Sequence, residues 1–270
     1  MPKKIVNEEI LEFIKELRNK GYGYKRIQRE IEKMYGWSPS LSTIRYWIRE
    51  ILEDRRVFSA EIPWRPRKRS ELAYIIGVAL GDASLGLAKR TDRPKGKRYF
   101  FKLKVRDKEF AEEVRKAIER IGLHCSGVKE YYDEREERMY YIVQCHVKRF
   151  VMFLRSLKKY PEKVWKWIEG YEREFLKGFY ESEGSLLEKE QILIYNSRKE
   201  FIDIVAECLQ RLRIKYSISY HECVREWIVY IPVREVPRFL TAIKPAIKYS
   251  RDDPHYRRVK KERKKRMNEN

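Results

Sequence analysis

The sequence predicts an α+β protein: two α-β-β-α-β-β-α halves in one chain, related by a pseudo-two-fold axis, with antiparallel sheets, preceded by a small all-α unit. Three observations predict it. Segments of the first half recur in the second in the same order. Alternating stretches such as "FFKLKV" and "QILIYN" read as strands with one apolar and one polar face. The first 56 residues carry only helical spacing.

The all-α unit, residues 1–56, comes first. Ile10, Phe13, Ile14 and Leu17 repeat at helical spacing until Gly21 and Gly23 break the pattern. A second helix turns Ile27, Ile31 and Met34 inward and stops at Gly36, and "WSPS" forms the turn. In the third, "SLSTIRYWIREIL", Ile44, Trp47, Ile48 and Ile51 share one face, leaving Thr43, Arg45, Tyr46 and Arg49 on the other. Three short helices ending in a basic, hydroxyl-bearing one resemble a helix-turn-helix DNA-binding domain, whose last helix enters the major groove.

Residues 57–70 follow as a linker, "VFSAEIPWRPRKRS", extended by two prolines. Its basic cluster, with Arg67 and Lys68 the chosen DNA contacts, suits a phosphate backbone.

The halves, residues 71–160 and 161–250, show their duplication best at "YIIGVALGDASL" and "FLKGFYESEGSL". Gly77 matches Gly178, Gly81 matches Ser182, Asp82 matches Glu183, Ser84 matches Ser185 and Leu85 matches Leu186. "RDKEFAEEVRKAIERIGL" then aligns with "SRKEFIDIVAECLQRLRI", and "YIVQCHVKRFVMFLRSLK" with "WIVYIPVREVPRFLTAIK". Each copy reads helix, two strands, helix, two strands, helix. The first hairpin is longer, carrying "TDRPKGK" between its strands. Residues 251–270 form a basic C-terminal tail that suits phosphate contact.

Small residues four apart lie on one helix face, Gly77 with Gly81 and Gly178 with Ser182, so the two helices can pack with their backbones close. Packed side by side about the pseudo-two-fold, they bring Asp82 to Glu183. An acid at a helix C-terminus opposes the macrodipole at a cost of ~0.3–1 kcal/mol. Two such acids, together with the helix-end carbonyls, form a cluster of oxygen ligands that a hard divalent cation such as Mg²⁺ renders favourable. Such ions beside a basic surface supply what phosphodiester hydrolysis needs.

Composition agrees. With 62 Lys+Arg against 41 Asp+Glu, the formal charge of +21 favours a polyanionic partner. No apolar run approaches the ~18 residues of a spanning helix, and the start "MPKKIVNEEI" has no signal-peptide apolar segment, so we expect an intracellular, cytoplasmic protein. Four cysteines without CxxC spacing argue against a disulfide framework or zinc knuckle.

"LGDASL" and "SEGSL", each ending a glycine-containing helix, resemble the two motifs of a single-chain LAGLIDADG homing endonuclease. The resemblance spans roughly residues 72 to 247. It implies saddle-shaped sheets lying in the major groove of a long asymmetric double-stranded DNA site, and Mg²⁺-dependent cleavage of both strands by a monomer. Two or three divalent ions are implied, with Mn²⁺ or Ca²⁺ substituting in binding, as is an intron-encoded origin. The motif's metal-binding acids fall on Asp82 and Glu183, and residues organising the hydrolytic waters on Arg106 and Asn196, with Lys104 and Ser197 as neighbours that could take that role. Two positions depart from the motif: Leu80 stands where an acid is usual, and Ala83 replaces the glycine that follows the first acid. DNA contacts would come from outward strand residues, namely Lys89, Arg98, Lys102, Lys104, Arg138, Lys189, Gln191, Arg225 and Tyr230. The same scaffold would also suit a non-cleaving transcriptional regulator or an intron RNA maturase, the latter with RNA as its partner.

Overall fold

The computed structural model describes residues 8–48, 64–89, 97–187 and 191–259. Arg49, Lys189, most of the linker and the end of the tail lie outside them. The chain divides into two compact units, Met1–Pro63 and Trp64–Asn270.

The smaller unit contains α1 (Glu8–Asn19), α2 (Tyr24–Tyr35) and α3 (Leu41–Trp47). Ile10, Ile14, Leu17, Ile27, Ile31, Ile44, Trp47 and Ile48 make its core, as the spacing predicts. Met34 does not join them and is 64% exposed. It lies in the last turn of α2, where Gly36 at φ +69° ends the helix before a further inward position is reached. Ser40 caps α3 by accepting from the Thr43 amide.

In the larger unit the first half runs α4 (Ser70–Leu80), β1 (Ser84–Lys89), β2 (Lys97–Val105), α5 (Lys108–Arg120), β3 (Lys129–Asp133), β4 (Arg138–Cys145) and α6 (Lys148–Lys159). After a 3₁₀ turn and the short α7 (Trp165–Ile168), the second half repeats the order. It has α8 (Glu172–Glu183), β5 (Gly184–Leu186), β6 (Ile192–Asn196), α9 (Lys199–Arg211), β7 (Ser217–His221), β8 (Glu226–Ile231) and α10 (Val236–Ile243). Each half holds a four-stranded antiparallel sheet, ordered β1-β2-β4-β3 and β5-β6-β8-β7.

Alternation works as the strands require. Phe101, Leu103 and Val105 are buried while Lys102 and Lys104 are partly exposed on the other face. Ile192 and Ile194 pair with Ile231 and Val229 in the core, leaving Leu193 opposite Tyr230 outside. Trp64 is buried edge-on against Phe150 and Phe153 and so anchors the start of the extended stretch 64–69 on the larger unit, while Arg65, Arg67, Lys68 and Arg69 stay exposed.

Helix α4 is buried from Leu72 to Leu80, which explains why it is apolar on every side. Its partner is α8. A Cβ on Gly77 would overlap the Phe175 carbonyl oxygen, and one on Gly178 would overlap that of Tyr74. Tyr74 also donates its hydroxyl hydrogen to Glu181 across the seam at 2.6 Å. The second-half glycine missing at Ala83 has a local reason as well. A Cβ at Gly184 would strike the Tyr180 ring, whereas the equivalent neighbour in the first half is the small Ala79.

Gly178→Ala is therefore expected to destabilise the larger unit by about 2–4 kcal/mol in urea denaturation, because neither backbone can retreat from the new methyl. Gly127→Ala, with nothing within 4 Å of the added carbon, is the control and should change stability by less than about 0.5 kcal/mol.

Candidate active site

The seam that Gly77 and Gly178 create ends at the two acids. Asp82 follows the last residues of α4, and Glu183 is the last residue of α8. A Cβ on Gly81 would come within 2.6 Å of Ser182 Cβ and 3.1 Å of Glu183 Cγ, so the chain beside Asp82 lies directly on Glu183. The carboxyl of Asp82 is raised above its ordinary range by burial, with Lys248 and then Lys158 opposing the shift. Burial and the nearby Asp82 charge push Glu183 up to about 7. The charge of Asp82 is thus one of the influences that disfavour a second charge on Glu183.

Asn196, at the end of β6, donates its amide to Glu183 Oε1 at 3.3 Å. Its own Oδ1 accepts from the Arg198 backbone at 2.9 Å, which fixes the amide's orientation. Arg106, at the corresponding corner after β2, lines a cleft of about 250 Å³ together with Asp82, Lys104, Lys248 and Arg258. Burial, followed by Arg258 and Arg138, lowers the Arg106 guanidinium's pKa. On its other side Asp82 opens onto a larger cleft bordered by Arg155, Lys158 and Lys159. Of the four sequence-predicted catalytic residues, Asn196 thus bonds Glu183 and Arg106 shares a cleft with Asp82.

The helix-end carbonyls, however, are not left for a cation as the sequence suggests. Lys158 Nζ donates to Ala79 O at 3.4 Å. Lys248 Nζ donates to Glu181 O at 2.7 Å and to Ser182 O at 3.4 Å. Among the described residues no group of three or more His, Cys, Asp or Glu gathers. The donor set for a hard cation is therefore the two carboxylates, and both suit one.

Sequence reasoning missed both lysines. One signal was present: the duplication's third segment closes on a lysine in each copy, Lys158 and Lys244. Lys158 reaches the site; Lys244 instead ends α10 at φ +46°, and Lys248 arrives four residues later.

The expected DNA contacts separate into groups. Lys102 and Lys104 share the outer face of the first sheet with Tyr140 and Lys129, by the registers of β2, β4 and β3. Lys104 is paired with Asp133 at 2.9 Å and sits 4.0 Å from the Tyr140 ring centroid. Arg98 is exposed, and Arg138 approaches Glu136 at 3.9 Å. Lys89 pairs with Lys97 at the end of β1, its side chain lying outside the described residues. Gln191 and Tyr230 are partly exposed on the second sheet, and Arg225 is exposed in the β7–β8 turn. Arg67 is exposed, while Lys68 lies 3.5 Å from Glu169. In the smaller unit Arg45 and Tyr46 are exposed and Thr43 is partly so; Arg45 stacks over Tyr24 at 5.4 Å.

Each half of this fold matches a LAGLIDADG-like domain model. Residues 170–269 match the LAGLIDADG-like domain model, and residues 72–156 match that of the WhiA LAGLIDADG-like domain. The fold is similar to that of I-DmoI in complex with DNA and Mn, with a TM-score of 0.51 at 18% identity, covering 64% of this chain and 96% of that one. It is equally similar to the homing endonuclease I-WcaI bound to its DNA recognition sequence, with a TM-score of 0.51 at 15% identity, covering 70% and 87%. Two curated relatives come from Methanocaldococcus jannaschii. Uncharacterized protein MJ0398 is 29% identical over 78% of this chain and 72% of its own length. Uncharacterized protein MJ0314 is 33% identical over 54% and 56%.

The raised Glu183 pKa has a consequence for stability. Between its unfolded value of 4.5 and about 7 the folded protein holds the proton more tightly, so this group's stabilisation is full below 4.5 and is lost as pH rises through about 7. Glu183→Gln, which keeps the acceptor for Asn196 without the charge, should be more stable than wild type by about 1–3 kcal/mol at about pH 8. Urea denaturation in EDTA should show that gain disappearing as pH falls toward 4.5.

Proposed function

We propose that the protein is a site-specific, divalent-metal-dependent DNA endonuclease that acts inside the cell as a monomer. The observation that carries this reading is the convergence of Asp82 and Glu183 at a glycine-packed seam, with Asp82 bordering two clefts lined with arginine and lysine. The relatives in fold add support, since I-DmoI is described in complex with DNA and Mn, and with DNA and Ca.

Each residue then has a task. Asp82 and Glu183 would hold the cations, which would supply activation of a water nucleophile and charge stabilisation for the leaving oxygen. Asn196 fixes one oxygen of Glu183, so that the carboxylate presents the other. Lys158, Lys159 and Arg155 on one side, with Arg106 on the other, attract and orient the phosphates next to the scissile bond. Glu183 gives up its proton near neutral pH, which ties readiness for a cation to the working pH. The outer face of the first sheet, with Lys102, Lys129 and Tyr140, contacts the groove. The second sheet, whose outer row includes Leu193, Ile228 and Tyr230, reads its half more through apolar contact and shape. Thr43, Arg45 and Tyr46 of the N-terminal unit add a further DNA contact on the pattern of a helix-turn-helix.

A non-cleaving DNA-binding protein is the second reading. It is favoured by the WhiA-like match over residues 72–156 and by two lysines that already offset the acids.

Selection of cut duplexes from a randomised DNA library in Mg²⁺ separates the two. The endonuclease reading expects a long asymmetric site whose cleavage falls by a factor on the order of 10³ or more in Asp82→Asn and Glu183→Gln, with duplex binding retained. Selection that enriches bound but uncut duplexes in both Mg²⁺ and Mn²⁺ would establish the second reading, and cutting by both variants at the wild-type rate would exclude the first.

A further inference from the structure

The segment after α10 belongs to neither repeated half, yet it runs through the site. Lys244 and Lys248 both adopt positive φ, +46° and +63°, so the chain turns sharply twice before it reaches the seam. There the Lys248 carbonyl accepts from the Tyr180 hydroxyl at 2.7 Å. Asp253 then folds the next turn by accepting from the Tyr249 amide at 2.9 Å and the Tyr256 amide at 3.0 Å. The Tyr256 hydroxyl takes the Leu186 amide of β5. Arg258 makes paired bonds of 2.8 and 3.2 Å to Asp107 at the start of α5, and His255 meets the same carboxylate at 3.1 Å. Residues 244–259 are thus a strap, fixed to α8 and β5 in one half and to α5 in the other.

A strap held at both ends leaves its buried side chain little choice of place. Lys248 is 7% exposed, and its ammonium is aimed at the end of α8 by two carbonyl bonds. It lines the same cleft as Asp82. Of the attractive influences on either acid, that of Lys248 is the larger, with Lys158 second. Lys158 is less buried and is held by one contact of 3.4 Å.

We propose that Lys248 is the resident counter-cation of the Asp82 and Glu183 pair, a positioning residue whose ammonium competes with a divalent ion and so sets how tightly the pair binds one. This rests on the pair being a divalent-ion site. The physics is direct: two carboxylates held at adjoining helix ends attract any cation within reach, and one tethered there by the chain needs no concentration to compete. A metal that enters must share the negative field with Lys248 or displace it.

The test is Mn²⁺ binding to the full-length protein, read by electron paramagnetic resonance of the free ion. Lys248→Met, which removes the charge and keeps the length, should bind Mn²⁺ roughly tenfold more tightly than wild type. Lys248→Arg should restore wild-type affinity. The double variant Asp82→Asn, Glu183→Gln marks the binding that belongs to the pair. Pair-dependent binding that is unchanged or weaker in Lys248→Met overturns the inference and leaves the metal site standing. No pair-dependent binding in wild type or Lys248→Met overturns both. Circular dichroism checks folding; if Lys248→Met is unfolded, Lys248→Gln, which keeps an N–H donor for the two carbonyls, is judged by the same criterion.

Discussion

Backbone contact between α4 and α8 at Gly77 and Gly178 is the constraint on which the rest of the larger unit depends. Side chains usually hold packed helices about 8–10 Å apart; here the absence of two side chains lets carbonyl oxygens meet the opposing helix. The consequences run in both directions along the seam. From the N-terminal side of Gly77, the Tyr74 hydroxyl reaches across the seam to Glu181 of α8, a carboxyl buried to 1% exposure. Toward the C-termini, Gly81 lies on Ser182 and Glu183, and the two acids cannot be separated without parting the helices. Packing and chemistry are fixed by the same pair of glycines.

The electrostatics of the helix ends follows from that geometry. Acids at two adjoining C-termini meet both their own mutual repulsion and the negative ends of two macrodipoles. Without a bound ion the protein meets this with lysines, which bond the carbonyls of Ala79, Glu181 and Ser182 and attract both carboxylates. Even so, burial leaves Glu183 with a pKa of about 7. The lysines thus offset the two acids only in part. A fully neutralised pair would have no use for a metal, and an uncompensated one would strain the seam.

Much of this architecture is legible in the sequence because the duplication carries it. Collinear repeats locate the helices and strands of both halves, strand alternation assigns their faces, and the small residues around Asp82 and Glu183 bring the acids together. Asn196 and Arg106 are found only through the LAGLIDADG resemblance, which points to the end of the second strand of each half. What the sequence hides is whatever the repeat does not copy. Lys248 and Arg258 lie beyond the repeated unit and reach the seam through two residues at positive φ, which no periodicity announces. Met34 satisfies helical spacing, yet its helix ends too soon for it to be covered. Trp64 lies in a stretch that prolines and charges mark as linker, yet its single large ring is buried against Phe150 and Phe153 while the arginines and lysine after it stay exposed.

The central claim is that the seam exists to hold divalent ions between one aspartate and one glutamate. Anomalous diffraction from a crystal of the protein soaked in Mn²⁺ addresses it most directly. The account predicts a manganese peak coordinated by both Asp82 and Glu183; manganese bound only elsewhere, with those two side chains turned away from each other, would contradict it.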